Sequence, residues 1–342
     1  MRRLTLTNRV KLGLLVVAVA LGVAAPYIAG RSITGILTLG LVSGLFAMSI
    51  DLLSGYGGLV TLGQAGISAT AAYGVGYVAN NSEWGFGAQI AVGLLAGLVA
   101  AAVFAAMAMR ASGVYFMMIT LAQGMIVWGL SIRLYQVTGA ENGLTGIDRP
   151  PFISLWWQYY WFVLAVVLLC SFLMFVVVKS PFGFAIRGLR ESESRLQVLG
   201  YNPLLQKFYL FMVSGFFASI SGLLLVYLNE FISPAAVTLA ASAIGLLEAI
   251  LGGFGTLVGP MIGAFIIVFI RNMVSTYIQR WPTLIGVIFI VVVLYARGGI
   301  VGGVSALWNR WLARRSADPS GRGDGDHPTL PAIESAGTRE TT

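Results

Sequence analysis

Long apolar stretches recur along the whole chain, and that recurrence leaves few folds open. The first is Leu12–Ala29, followed by Ile33–Leu53, Gly57–Ala79, Phe86–Met109, Val114–Ile132, Trp157–Val178 and Phe208–Leu228. Each is long enough, or nearly so, to cross about 30 Å of hydrocarbon as a helix. Val237–Leu251, Leu257–Ile270 and Pro282–Ala296 are shorter or interrupted. The pattern predicts an all-α polytopic membrane protein with about ten transmembrane segments, some of them broken or re-entrant. With 58% hydrophobic and 10% charged residues in 342, no soluble core would absorb this much apolar surface.

Arg2, Arg3, Arg9 and Lys11 precede the first stretch, which is also how a secretory signal peptide begins. Pro26 directly after Val23-Ala24-Ala25 disfavours cleavage there, so an uncleaved first helix is expected. With ten spans and the N-terminus inside, 16 of the 21 Lys and Arg fall on the inner side, leaving Arg31, Arg133, Arg149, Arg271 and Arg280 outside. That bias predicts cytoplasmic N- and C-termini. The net charge of +8 is spread over loops and ends and forms no single basic face, which argues for membrane topology and against nucleic acid as a partner. The single cysteine, Cys170, sits in an apolar run and is expected in the core, without a disulfide or thiol metal site. Residues 1–315 read as one transmembrane domain. Residues 316–342, rich in Pro, Gly, Ser and Asp and carrying the lone His327, read as a disordered cytoplasmic tail.

Between two of these spans lies Lys179 to Lys207, a long polar segment with five basic residues, Lys179, Arg187, Arg190, Arg195 and Lys207. It opens Ser-Pro-Phe-Gly and stops at Gly200 and Pro203, which predicts one surface helix of about four turns. On the charge count this loop, 179–207, is cytoplasmic and available to a soluble partner. The longest loop on the other side, Tyr135 to Trp156, is polar and turn-rich, fit either to touch something outside or to be a solvated connector.

Two glycine-rich stretches border spans. Gly55 to Ala65 includes Gly57, Gly58, Thr61 and Gln64, and Leu251 to Pro260 includes Gly252, Gly253 and Thr256. Transporters often place such breaks at matching points of two halves, beside the substrate path. The competing reading is close helix packing. Charges in or beside the spans are Asp51 at an inner helix end, Arg133, Arg271 and Glu248, an intramembrane acid and so a candidate for the path. Glu248 lies about one turn from Gly252, within possible reach of the inner interface. The sequence has no Gly-x-x-x-x-Gly-Lys-Ser/Thr loop, no His-Glu-x-x-His and no Gly-x-Ser-x-Gly, so catalytic residues, metal ligands and cofactors are not expected.

Ser180-Pro181-Phe182-Gly183, Arg187, Arg190-Glu191, Glu193 and Leu199-Gly200-Tyr201-Asn202 together resemble the Glu-Ala-Ala coupling loop of bacterial ABC importer permeases, in the form used by the branched-chain amino acid group. Residues 55–65, Gly113-Val114-Tyr115-Phe116 with Ile119-Thr120-Leu121-Ala122, Asn142 to Gly146, and Leu251 to Pro260 resemble the same group in the same order. Across residues 33 to 300 the chain is most similar to the second of its two permease subunits. The resemblance implies a bacterial inner-membrane translocation subunit that works with a homologous second permease, two ATP-binding cassette subunits and an extracytoplasmic substrate-binding protein. It implies a small polar substrate, leucine, isoleucine and valine first, with urea or short amides the alternative. It also implies that Arg187, Arg190, Glu191, Glu193 and Gly200 couple to the ATPase, with Phe184, Leu189 and Leu196 as the apolar contact face. The family pattern usually has small residues where Arg195 and Leu196 stand, and commonly an apolar one at Glu248. An ion-coupled secondary transporter would need no ATPase, but would carry more intramembrane acids than this chain does.

Overall fold

The computed structural model describes residues 30–274 apart from 83, 151 and 152, with isolated positions between 283 and 302. The expected first helix Leu12–Ala29, the tail 316–342 and, but for isolated positions, the segment Pro282–Ala296 lie outside the described residues.

What is described is an all-α polytopic membrane architecture. Helix α1 (Arg31–Asp51) runs into a π-helical turn, Leu52–Tyr56. Next come α2 (Gln64–Asn81), α3 (Phe86–Ala108) and α4 (Gly113–Arg133). The second half holds α5 (Trp156–Lys179), α6 (Pro181–Glu191), α7 (Glu193–Val198), α8 (Pro203–Asn229), α9 (Leu239–Gly252) and α10 (Val258–Val274). Among the described residues, five helices are long and apolar enough to cross a membrane: α1 with its π turn, α3, α4, α5 and α8. Helices α9 and α10, at 14 and 17 residues, reach only about 21 and 26 Å at 1.5 Å per residue.

Two helices form the centre. The apolar windows of α1 and α8 are 72% and 67% buried, against 28%, 22% and 33% for α3, α4 and α5. Small residues bring backbones together where no larger side chain would fit. Side chains added at Gly97 or Gly215 would run into Ser219 and Ala101, locking α3 against α8, and one at Gly222 would strike the Ser68 carbonyl of α2. Close approach of this kind lets helices associate through dispersion where hydrocarbon supplies no hydrophobic drive. Two serines one heptad apart add polar staples: Ser214 Oγ donates to Ser49 O at 2.6 Å and Ser221 Oγ to Val42 O at 3.1 Å, both on α1.

Several starts are set locally. Ser180 and Asn202 accept backbone N–H bonds from Gly183 and Leu204, with Pro181 and Pro203 at the first helical positions of α6 and α8. Thr238 caps α9 in the same way.

Two expectations need correction. The span expected from Gly57 begins only at Gln64, because Gly58 takes φ +70° and residues 57–63 form a non-helical link beneath the π turn. The single polar helix expected after Lys179 is two, because Ser192 is extended (φ −167°, ψ 115°) and its hydroxyl caps a new helix by accepting from Arg195 N. Glu193 then sits in the first turn of α7, where a carboxylate suits the helix dipole.

At the end of the bundle opposite α6 and α7, residues 134–150 are fastened rather than loose. Leu144–Thr145 (β1) pairs antiparallel with Phe231–Ile232 (β2), just after α8. Arg149 donates from Nε to Tyr227 O and from Nη2 to Leu228 O, both at 2.8 Å, and lies over the Tyr159 ring. Cys170 is buried and free, as expected.

Candidate functional site

The two glycine-rich stretches meet. The π turn leaves Gly55 facing the link between α9 and α10, so close that a side chain at Gly55 would collide with Asp51 Oδ1 and come within 2.5 Å of Gly255 N. Asp51, the last residue of α1, is fully buried and accepts the Gly255 N–H through Oδ1 at 2.7 Å. Among the described residues, its Oδ2 has no hydrogen-bond partner.

Arg190 of α6 reaches the same point. Its Nη1 donates to Gly55 O at 2.5 Å, its charge acts on Asp51, and its stem lies against Gly58. Three segments that are distant in sequence therefore converge on one buried carboxylate.

The remaining path candidates divide between packing and polar burial. Gly57 lies under Leu210, and Gly252 abuts Gly259 and Pro260 where α9 crosses α10. Gly253 ends α9 at φ +113°, and Thr256 Oγ1 closes the link by donating to Gly253 O at 2.8 Å. Thr61 and Gln64 are fully buried, Thr61 Oγ1 accepting from Gly63 N at 3.2 Å and Gln64 Nε2 donating to Ser214 Oγ at 2.9 Å. Glu248 is buried within α9, and the charge of Arg271 on α10 acts on it. Asp51 and Gly255 thus join the first break to the second, while Gln64 and Glu248 lie deeper along the helices that leave them.

On α6 and α7 the candidates split by direction. Arg187 is exposed and stacks near the rings of Tyr56 and Phe184, at 5.5 and 5.7 Å. Glu191 is exposed and pairs loosely with Arg195 at 3.9 Å. Glu193 turns inward to Lys207 Nζ at 2.7 Å, and Lys207, buried on α8, also donates to Ala111 O at 3.3 Å. Leu189 and Leu196, expected on the partner-facing side, are buried against the chain itself. The break at Ser192 is the reason, since it lets both short helices lay an apolar stripe on the bundle. The exposed apolar residues are Phe184, Val198 at 89% and Leu199 at 73%.

Gly200 closes α7 at φ +86°. Its N–H bonds Gln197 O at 2.9 Å while Tyr201 N–H bonds Leu196 O at 3.2 Å, the paired bonds of a Schellman turn.

Asp51, Lys207 and Gly255 become site residues only in the fold. The signal for Asp51 was a lone acid at the end of an apolar run. Its partner lies 204 residues away and left no local trace.

Residues 32–297 match the family described as branched-chain amino acid transport system / permease component. The chain is 26% identical over 317 residues to the high-affinity branched-chain amino acid transport system permease protein LivM of Escherichia coli (strain K12), covering 84% of this chain and 74% of that one. LivM of Salmonella typhimurium is similar to the same extent. The probable branched-chain amino acid transport permease protein LivH of Methanocaldococcus jannaschii is 27% identical over 194 residues, 55% of this chain and 61% of the other.

Proposed function

The chain belongs to the branched-chain amino acid transport system permease family, transport components that leave ATP hydrolysis to separate subunits, and on that premise we propose how it works and what it carries. It is the permease subunit of an ABC importer whose cargo is leucine, isoleucine or valine. It spans the bacterial inner membrane about ten times with both termini in the cytoplasm, residues 1–315 forming the permease domain and 316–342 a tail. A homologous permease completes the pathway, two ATPase subunits dock on α6 and α7, and an extracytoplasmic binding protein delivers the substrate.

The observation that carries this reading is the outward face of α6 and α7. Phe184, Val198 and Leu199 stand exposed on the same short segment as the exposed Arg187, Glu191 and Arg195, while its Ala185, Ile186, Leu189 and Leu196 are buried. Exposed apolar residues rimmed by charge mark an interaction surface. Arg187 and Glu191 then orient the ATPase, Gly200 shapes the turn beside it, and Arg190 and Glu193 tie the pair of helices to the bundle. Alternating access follows when nucleotide-driven motion of the ATPase shifts this pair. The substrate path runs past the two breaks, with Thr61, Gln64 and Glu248 as its polar contacts, and Gly57, Gly58, Gly252, Gly253 and Thr256 giving the breaks their shape.

Two measurements test it. Gentle solubilisation should bring down a stoichiometric ATPase, which Val198→Asp with Leu199→Asp should release; purification of the wild-type chain without one would contradict the docking. Competition for uptake should rank leucine, isoleucine and valine above urea and short amides, and the reverse order would change the cargo while leaving the subunit's class intact.

A further inference from the structure

A buried carboxylate with one oxygen unpaired among the described residues is an expensive way to pack a helix end, because an apolar residue of similar size would avoid the desolvation. Asp51 nevertheless occupies the one point where the π turn after α1, the link between α9 and α10, and α6 come together. Its Oδ1 holds Gly255, Arg190 holds Gly55 four residues along from it, and Gly55 has no room for any side chain between Asp51 and Gly255. The first break is therefore tied to α6 by Arg190 and the second to the end of α1 by Asp51, each through a bond that packing alone would not require.

We propose that Asp51 and Arg190 are positioning residues for coupling: they hold both glycine breaks to α6, so that displacement of α6 moves the two breaks together instead of one at a time. This rests on the reading of α6 and α7 as the helices that receive the ATPase. The geometry makes Arg190 the handle and Asp51 the joint. Arg190 is the outermost of the residues involved, and its guanidinium hydrogen-bonds the backbone of the first break from α6, where Arg187 only stacks near the Tyr56 ring. Asp51 passes the displacement to the second break through a single short hydrogen bond. Without either residue, α6 still packs by Ala185, Ile186 and Leu189, so the ATPase keeps its seat while the hydrogen-bonded link from α6 through both breaks is cut.

The test uses the full transporter in vesicles: this chain with its partner permease, the ATPase subunits and the binding protein, with labelled leucine uptake and ATP hydrolysis read together. Asp51→Ala and Arg190→Ala should each lower leucine carried per ATP by about five-fold or more, the size of effect expected when one link between coupled sites is cut. Asp51→Asn keeps an oxygen for Gly255 N–H and should stay within about two-fold of wild type, since the neutral bond retains the connection. A purely structural role would lower hydrolysis and uptake in parallel, leaving the ratio unchanged, and that result overturns the proposal. So does an unchanged ratio with both activities intact. Should Asp51→Ala fail to assemble, Arg190→Ala decides alone, because its side chain is exposed and its loss leaves the apolar stripe of α6 in place. If the wild-type complex takes up leucine without ATP, the coupling reading itself fails and the proposal falls with it, an outcome distinct from a normal wild type with indifferent variants.

Discussion

Helix α8 is fastened by a cation at each end, and the two fastenings differ in what they hold. At the C-terminal end Arg149 bonds the last carbonyls of the helix itself, approaches Glu230 at 3.3 Å and lies 4.5 Å from the centre of the Tyr159 ring. Its partners are mostly backbone and a packed aromatic, which cannot rearrange independently of the bundle. At the N-terminal end Lys207 bonds Ala111 O and the side chain of Glu193, which belongs to a helix of only six residues. One end is clamped to the frame alone, whereas the other is also tethered to a short separate helix. The proposed docking of the ATPase on α6 and α7 would use this asymmetry, with the driven end yielding while the far end keeps its shape.

Cutting the clamp should cost most. Arg149→Ala removes two charge-assisted hydrogen bonds and the ring contact, and should destabilise the solubilised protein by about 3 kcal/mol, read as a fall in melting temperature. A change under about 0.5 kcal/mol would mean that both ends are tethers and would erase the difference. Lys207→Ala comes next at about 1 to 2 kcal/mol, because Glu193 is partly exposed and water can replace its partner. Its sharper signature is local: amide exchange should accelerate across α7 while the end near Arg149 keeps its protection.

Much of this was legible beforehand. Hydropathy placed α1, α3, α4, α5, α9 and α10 within a few residues, because a membrane demands continuous apolar runs. The break at Ser192 was not legible, since Ser, Glu and Arg all tolerate helix and only the hydroxyl's bond to Arg195 N selects a second start. That one break turns Leu189 and Leu196 inward and leaves Val198 and Leu199 outside. Arg149 is legible in the sequence only as an outer basic residue, because its partners lie 78 and 79 positions on. Convergence on Asp51 was hidden for the same reason.

Smaller effects probe the tethered end more finely. Gly200→Ala should destabilise by about 1 kcal/mol through its left-handed backbone alone, because nothing lies within 4 Å of the position. Gly200→Asn should lose less, since Asn tolerates that conformation. Gly200→Trp, with the same strain but a bulky exposed ring, should in addition abolish uptake while the protein stays in the membrane. If Trp and Ala transport alike, the turn is shaped for folding and not for the ATPase. Smallest of all, Arg195→Ala removes an exposed pair at 3.9 Å and should shift stability by less than about 0.5 kcal/mol. A weaker ATPase association in that variant would show that the outer face of α7 works through the partner and not through the fold.

The most direct test of an ATP-driven permease moved from its tethered end is leucine entry into vesicles holding all four kinds of subunit, with the proton and sodium gradients collapsed by ionophores. Uptake should persist with ATP supplied on the α6 and α7 side and vanish when ATP is replaced by a non-hydrolysable analogue. Uptake that ignores the analogue but stops with the ionophores would contradict the assignment and leave Glu248, buried beneath the second break, as the centre of an ion-coupled carrier instead.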